Sequence, residues 1–296
     1  MKRRSRVQRT ITYAGALLLA LFWFGPFVLV GIGSVISEGN LLAFPPRWFA
    51  DPPLLGNYDY IFTGDIPSAY VERGALRSMV SNEVRQVPRA VLNSLIVAVA
   101  VMFINLVLGS LGAYAYARLR FPGRALAFNF VLMSRLIPSV ALAVPYYTII
   151  QRAGLLNTYW ALILIYSVLT VPFTTLVLTL YFKNIPREID EAAQMEGASP
   201  LRVLWDITLP LSLPSLLGAG LFAFMLSYSE FLFGLFTITS SGKRTLPVVL
   251  GSLSSQHDVS WGMMMASIAI GSLPTLLLVF PVWRFMVRGL TAGAGR

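Results

Sequence analysis

Residues 90–117 read AVLNSLIVAVAVMFINLVLGSLGAYAYA, 28 positions without a charged side chain, closed on either side by Arg89 and Arg118. A helix needs about 20 apolar residues to cross a hydrocarbon core of roughly 30 Å. In lipid, a helix is also the form that satisfies its backbone polar groups within its own segment. The same reading applies along the chain. Charge-free windows run from Thr10 to Ser37, from Ala153 to Phe182 and from Val259 to Trp283. Ala125 to Gln151 is broken only by Arg135, and Ile207 to Gly242 only by Glu230. The six windows predict an all-α polytopic membrane protein with six transmembrane helices, the first over 10–37 and a long loop over 38–89.

Composition agrees. Of 296 residues, 56% are hydrophobic and 12% charged, where a soluble chain carries roughly 25% charged residues. So few charges cannot cover a soluble domain of this size, and a soluble enzyme, a disordered chain and a collagen-like chain are all excluded. The formal charge of +10 would point to nucleic acid in a soluble protein. Here the basic residues sit at span ends, and no nucleic-acid partner is implied. There is no cysteine, which removes disulfides, thiol catalysis and Cys-ligated metal. The single histidine, His257, reads as a loop residue, so no metal or other cofactor is expected.

Basic residues also orient the spans. Lys2, Arg3, Arg4, Arg6, Arg9, Arg118, Arg120, Arg124, Lys183, Arg187, Arg202, Arg284, Arg288 and Arg296 fall on one side, 14 in all. Arg47, Arg73, Arg77, Arg85, Arg89, Arg152, Lys243 and Arg244 fall on the other, 8 in all. Positive residues favour the cytoplasm, so both termini are expected there, with a basic cytoplasmic segment over 1–9 and a cytoplasmic tail over 289–296. The basic cluster followed by an apolar run resembles a secretory signal. A signal's apolar core is only about 7–15 residues long, and the better reading is an uncleaved first span.

Two loops on the expected outer face stand out. Gly39 to Arg89 opens with Phe44-Pro45-Pro46-Arg47-Trp48-Phe49 and Pro52-Pro53, and continues to Asn57-Tyr58-Asp59-Tyr60-Ile61-Phe62. Leu76, Met79, Val80, Val84 and Val87 then follow helical spacing. That pattern fits a helix on the membrane surface and a packed external loop helix equally well. Lys243 to Trp261 is polar enough to be exposed. Both loops are candidates to receive an external partner.

No Walker A pattern occurs, because Gly242-Lys243 is followed by Arg244 and lacks the upstream glycine. Gly218-Ala219-Gly220-Leu221-Phe222-Ala223 fits a dinucleotide fingerprint by letter, but no strand precedes it. Its small residues predict close helix packing instead. No HExxH or GxSxG is present. No catalytic constellation is visible.

The loop over 186–210 is different. Acidic residues follow Pro186, which suits the positive end of a helix dipole. Gly197 is a helix stop, and Ser199-Pro200 is an N-cap and first-turn pair for a second short helix. Ala192 and Ala193 leave a bare patch where a partner can approach the backbone. Glu188, Asp190, Glu191, Glu196 and Asp206 are unusual for a cytoplasmic loop, and they predict docking onto a basic protein surface.

In this loop Glu191-Ala192-Ala193, three residues, Gly197, nine residues, Ile207, one residue and Leu209-Pro210 match EAA-x3-G-x9-I-x-LP at every fixed position. The segment resembles the EAA loop of the permease subunits of bacterial ABC importers, and the rest of the chain looks like their sugar branch of maltose type. Asn57-Tyr58, Asn93-Ser94-Leu95, Ala113 through Leu119, Phe121-Pro122-Gly123, Ile137-Pro138, Trp261-Gly262 and Gly289 through Ala294 carry that likeness. Three features depart from it. The stretch from about Gly64 to Val87 is longer, Arg135 replaces a neutral residue, and the end at Gly295-Arg296 lacks the usual lysine.

The resemblance implies a multi-pass subunit of a bacterial inner membrane. Its permease core would span 90–288 and its coupling helix would lie between spans four and five. It implies a second permease subunit, a dimer of ATP-binding subunits, an external solute-binding protein and a carbohydrate as solute, all in a membrane-lipid setting. ATP hydrolysis would belong to separate subunits, and this chain would be a transporter subunit rather than an enzyme. Glu191, Ala192, Ala193, Gly197, Ile207, Leu209 and Pro210 would form the ATPase-coupling element. A secondary transporter driven by an ion gradient is the alternative, but no internal repeat supports it.

Two ionisable groups lie inside the apolar windows. A charge at a helix centre costs roughly 2.5–3.5 kcal/mol on insertion scales, so Arg135 and Glu230 are expected to face protein or water. One reading places them near span ends or in an assembly pair. The other places both on a translocation pathway between spans three and five, with Tyr228 and Ser229.

Overall fold

The computed structural model describes residues 6–49, 53–65, 82–255 and 259–293. Every regular element among the described residues is helical. The chain opens with α1 (Arg6–Gly33), α2 (Glu38–Leu41) and α3 (Gly56–Thr63), and a tight turn at Asn82–Gln86 leads into α4 (Val87–Arg118). Next come α5 (Arg124–Met133), a turn at Ser134–Leu136, α6 (Ser139–Arg152) and α7 (Tyr159–Asn184). The 186–210 loop holds α8 (Arg187–Met195), α9 (Pro200–Val203), a π-turn at Leu204–Thr208 and α10 (Leu209–Leu211). The chain then continues through α11 (Leu213–Tyr228), α12 (Leu232–Thr237), α13 (Leu246–Ser254) and α14 (Trp261–Gly293).

Thr10–Gly33, Asn82–Arg118, Tyr159–Asn184 and Trp261–Val282 are unbroken helices long and apolar enough to cross a membrane. The other two windows are bent pairs of helices, so the count of six expected from the windows is not fixed by the fold. Arg124–Leu136 and Ser139–Arg152 meet at 100°, and Pro200–Leu211 and Leu213–Tyr228 meet at 86°. The count reaches six if each bent pair is one crossing. Ile207 to Gly242 is further divided, because α11 stops at Tyr228 and α12 starts afresh at Leu232.

Local chemistry explains the breaks. Pro138 forces Ile137 into extended backbone (φ −74°, ψ 122°), which ends the turn after α5 and starts α6. Pro210 and Pro214 flank Ser212, whose φ of −96° and ψ of 9° depart from the helix. Charge-free length alone does not register either break. The start of span four also shifts, from Ala153 to Tyr159, because Gly154 (φ +67°) and Asn157 (φ +60°) make a left-handed turn before it. The helical spacing over Leu76, Met79 and Val80 lies outside the described residues, as do Lys2 to Arg4, His257 and the tail from Ala294. Val84 and Val87, which continue that spacing, are buried.

The chain divides into two units, Met1–Pro88 with Leu250–Ser272, and Arg89–Val249 with Leu273–Arg296. In the first, Glu38 is buried, and its carboxylate accepts from the Ser260 hydroxyl at 3.2 Å and from the backbone N–H groups of Trp261 at 2.9 Å and Gly262 at 3.1 Å. It supplies acceptors to the first turn of α14, whose donors have no partner inside the helix. Asn57 Nδ2 donates to the Ser34 carbonyl at 2.7 Å, and the Tyr58 and Ser34 hydroxyls share a bond of 2.7 Å. A Cβ at Gly262 would fall 3.0 Å from Asn57 Nδ2. The Asn57-Tyr58 and Trp261-Gly262 pairs therefore belong to one polar junction.

In the second unit, α7 packs on α11 and α4 lies against both. A Cβ at Gly109 would sit 2.6 Å from Thr174 Cγ2, and one at Gly220 would sit 3.3 Å from Leu106 Cδ1. The small residues of the 218–223 stretch thus do allow close packing. Between α4 and α7, buried Thr174 donates to Asn105 Oδ1 at 3.1 Å, and Asn105 Nδ2 donates to the Val101 carbonyl at 2.8 Å.

At the Asn93 end of α4, the Asn93 amide donates to the carbonyls of Gly242 at 3.1 Å and Arg244 at 2.9 Å. Its oxygen accepts from the Tyr159 hydroxyl at 2.7 Å. The Leu246 N–H donates to Ser94 Oγ at 2.8 Å, and Lys243 Nζ donates to the Asn157 carbonyl at 2.9 Å. The segment after α12 is held by α4 side chains that satisfy its open backbone, and by Lys243 on the turn before α7.

The close approach at Gly109 is testable. Thr174 cannot simply rotate away, because its hydroxyl is engaged with Asn105. Gly109→Val should therefore cost about 1–3 kcal/mol by overpacking. Gly31→Ala, with nothing within 4 Å of the added carbon, should cost nothing. Thermal unfolding in detergent reads both, and equal midpoints for Gly109→Val and the parent chain would contradict this packing.

Candidate functional site

The loop after α7 folds as its residues dictate. Pro186 stands before α8 with Glu188 and Asp190 in the first turn. The helix closes where Gly197, at φ +87°, takes the left-handed conformation and donates its N–H to the Gln194 carbonyl at 2.9 Å. Ala198 N–H reaches back to the Ala193 carbonyl at 3.0 Å. Ser199 Oγ accepts from the Arg202 N–H at 3.3 Å and caps α9, with Pro200 in its first turn. Both the stop and the cap stand where the residue types place them.

The seven motif residues split into two sets. Ala193, Ile207 and Leu209 pack on a core formed by Ala113, Tyr114, Leu178, Phe182, Leu204 and Ala219, so they seat the loop on the ends of α4, α7 and α11. Glu191, Ala192, Gly197 and Pro210 are exposed. One set holds the loop, and the other is exposed, in a loop whose Met195 is also 90% exposed.

The five acids do not all face outward. Asp190 points inward and pairs with Arg118 at 2.6 Å, with side-chain exposures of 8% and 6% respectively. Asp206 is taken up by Arg202 at 3.2 Å on an exposed face, a pairing that contributes little. Glu188, Glu191 and Glu196 stay exposed. Burial pushes the Asp190 carboxyl above its ordinary range; Arg118 and Arg187 pull it down, and the neighbouring Glu191 charge adds to the rise.

The four other candidates lie at helix breaks. Arg135 stands on the turn between α5 and α6, exposed, with Nη1 donating to the Leu169 carbonyl on α7. It borders a cavity of about 100 Å³ lined also by Ser134, Ser139 and Tyr146. Glu230 lies between α11 and α12. Its carboxylate accepts from Phe233 N–H at 3.1 and 3.2 Å and from Gly234 N–H at 3.4 Å, serving the open donors of α12. Tyr228 is buried and stacks on Phe224 with ring centroids 5.4 Å apart. Ser229 is exposed, with its hydroxyl on the Met225 carbonyl at 2.8 Å.

The two breaks meet through one aromatic contact. Tyr146, which lines the Arg135 cavity, lies 5.7 Å from the ring of Phe233, whose N–H Glu230 holds. Among the described residues, no three His, Asp or Glu side chains gather into a metal-binding group. Sequence reasoning did not single out Glu38, Asn157 or the Arg118–Asp190 pair. An asparagine between the turn at Gly154 and a helix is the one visible signal for Asn157, and the other partners are too far apart along the chain to advertise each other.

Comparison with known proteins follows the same lines. The chain is 31% identical over 293 residues to the trehalose/maltose transport system permease protein MalG of Thermococcus litoralis, covering 99% of this chain and 98% of that one. It is 29% identical to the sulfoquinovosyl glycerol transport system permease protein SmoH of Agrobacterium fabrum, over 96% of this chain and 93% of that one. A solved chain of a bacterial ABC transporter involved in the import of the acidic polysaccharide alginate shares the fold, with a TM-score of 0.73 at 20% identity, covering 96% of this chain and 99% of that one. The profile of the binding-protein-dependent transport system inner membrane component matches residues 105–290. With more than half its length matched, and with its spans and its EAA loop in the places described, this chain belongs to the binding-protein-dependent transport inner membrane component family.

Proposed function

We propose that the chain is a transmembrane permease subunit of an ATP-driven, binding-protein-dependent importer for a carbohydrate or a carbohydrate derivative. It forms a solute pathway with a second permease, receives the solute from an external binding protein, and couples to a dimer of ATP-binding subunits through residues 186–210. Both termini and that loop lie on the cytoplasmic side. The relatives named for trehalose/maltose and sulfoquinovosyl glycerol support the solute class.

The observation that carries the reading is the exposed face of the loop. Glu191, Ala192 and Gly197 stand outward while Ala193, Ile207 and Leu209 seat the loop on the membrane helices. A short helix enters a narrow groove when its outward side chains are small. Glu191 then meets a guanidinium of the ATPase through a charge-assisted bond. The pathway runs along the two breaks, with Arg135 and Ser229 meeting solute or water, and Tyr228 and Glu230 shaping the wall behind them.

Ala192→Arg adds bulk at the face, and Gly197→Asp forces a side chain into left-handed backbone at roughly 1–2 kcal/mol. Both should insert and pair with the second permease but lose ATPase association. Glu191→Ala should weaken association by about 1.5–3 kcal/mol, the worth of one hydrogen bond to a charged group. Copurification of the ATPase and solute uptake by the assembled complex read all three. Normal association and normal uptake in Gly197→Asp would contradict the coupling role.

The topology has its own test. Single cysteines at Ser199 and Ser255 enter a chain that has none. An impermeant thiol reagent should label position 255 in intact cells and position 199 only after permeabilisation. The reverse pattern would overturn the orientation. Glu230→Gln, which keeps the shape of the carboxylate and removes its charge, should lower uptake with assembly intact, and unchanged uptake kinetics would remove it from the pathway.

A further inference from the structure

Arg118 is the last residue of α4, and it makes one ion pair and one hydrogen bond to the segment after α7. Its Nε pairs with Asp190 of α8 at 2.6 Å, and its Nη2 donates to the Ile185 carbonyl at 2.9 Å. Ile185 and Pro186 are extended (ψ 129° and 134°), and the joint between α7 and α8 is tied back to α7 by the Ile185 N–H on the Phe182 carbonyl at 3.2 Å. By its covalent path alone, α8 would pivot at that joint. The arginine closes the joint from the side, by holding a carbonyl within it and a carboxylate one turn beyond it.

The pair is also an expensive way to fill space. Two charges with less than a tenth of their side chains exposed lose most of their hydration, and an apolar pair of similar volume often holds at least as well. What the charged pair adds is a specific tie, because it joins the end of α4 to one residue of α8, and breaking it by removing one partner leaves a buried charge without compensation. The helix that carries Arg118 is in turn pressed against α7 at Gly109 and Gly112, where added Cβ atoms would meet Thr174 and Thr175 at 2.6 and 3.3 Å. The helices α4, α7 and α8 therefore form a closed triangle with Arg118 at one corner.

We propose that Arg118 and Asp190 are positioning residues for energy coupling, their buried pair locking the α8 helix to the end of α4 so that a push on α8 moves two membrane helices together. The proposal rests on the reading of residues 186–210 as the coupling loop, and adds to it the residues that transmit the movement. Neither side chain faces the ATPase. Their role is distinct from that of Glu191, Ala192 and Gly197, which meet the partner.

The test uses the whole complex of both permeases, ATPase and binding protein in proteoliposomes, and reads solute taken up per ATP hydrolysed alongside ATPase copurification. Asp190→Asn, nearly isosteric, should keep ATPase association and basal hydrolysis and lose about tenfold in uptake per ATP, a loss within the usual span of coupling energies. Arg118→Lys, which keeps the charge but cannot pair with Asp190 and hold the Ile185 carbonyl through two separate nitrogens, should fall between this variant and the parent. The exchanged pair, Arg118→Asp with Asp190→Arg, should recover more uptake per ATP than either reversed residue alone. Amide hydrogen exchange over 188–195 in the complex should speed up in Asp190→Asn.

Unchanged uptake per ATP in Asp190→Asn, unchanged exchange in α8, or an exchanged pair no better than its single members would each overturn the proposal. Loss of assembly in Asp190→Asn would overturn it too, by making the pair a folding element. If Asp190→Asn is normal while Gly197→Asp loses ATPase association, the coupling loop stands and this proposal alone fails. If Gly197→Asp also associates normally, the loop reading itself fails.

Discussion

Inside hydrocarbon a helix satisfies its own backbone, and wherever it stops the protein must bring donors or acceptors to the open groups. The polar side chains of this chain are placed by that requirement. Arg135 donates to the Leu169 carbonyl beside the bend between α5 and α6. Glu230 accepts from the first amides of α12, and Asn93 donates to the carbonyls of Gly242 and Arg244 after it. Glu38 serves the open amides at the start of α14, and Arg118 holds the Ile185 carbonyl where α7 ends. With only 12% of its residues charged, the chain commits several of them to the ends and bends of its helices.

The breaks that these residues support are where a membrane protein can present something other than an apolar cylinder. At Pro138 and at Ser212 the chain turns through 100° and 86°, and the second turn leads out of a loop whose motif residues divide between anchoring and display. Ala193, Ile207 and Leu209 bind the loop to the core, while Glu191, Ala192 and Gly197 leave an open face. On the proposed reading, the anchored half carries the load and the exposed half takes the contact with the ATPase. The buried pair of Arg118 and Asp190 adds a second hold on α8 beside the packing of Ala193, next to the two extended residues Ile185 and Pro186.

Legibility in the sequence followed the range of the interaction. Spans one, two, four and six were visible because charge-free length is a local property, and the loop stop at Gly197 and the cap at Ser199 were visible because each acts within four residues. The bends at Pro138 and Ser212 were missed because an apolar window counts charges and is blind to a proline that changes direction. Glu230 was noticed as a costly charge, but its bonds to Phe233 and Gly234 depend on α11 ending just before it. Asp190 was read as a surface acid because Arg118, its partner, stands 72 residues earlier. Likewise, nothing near Glu38 announces that Trp261 and Gly262 will come to it.

The central claim is that this chain converts ATP turnover on its coupling-loop side into solute movement, and energy source is the most direct test of it. Proteoliposomes holding the chain with its second permease and ATPase subunits, supplied with binding protein and labelled disaccharide outside, separate the two ways of driving transport. The account predicts uptake that requires ATP on the coupling-loop side and the binding protein on the other, and that persists when ionophores collapse every ion gradient. Uptake that proceeds without ATP and vanishes with the ionophores would contradict it.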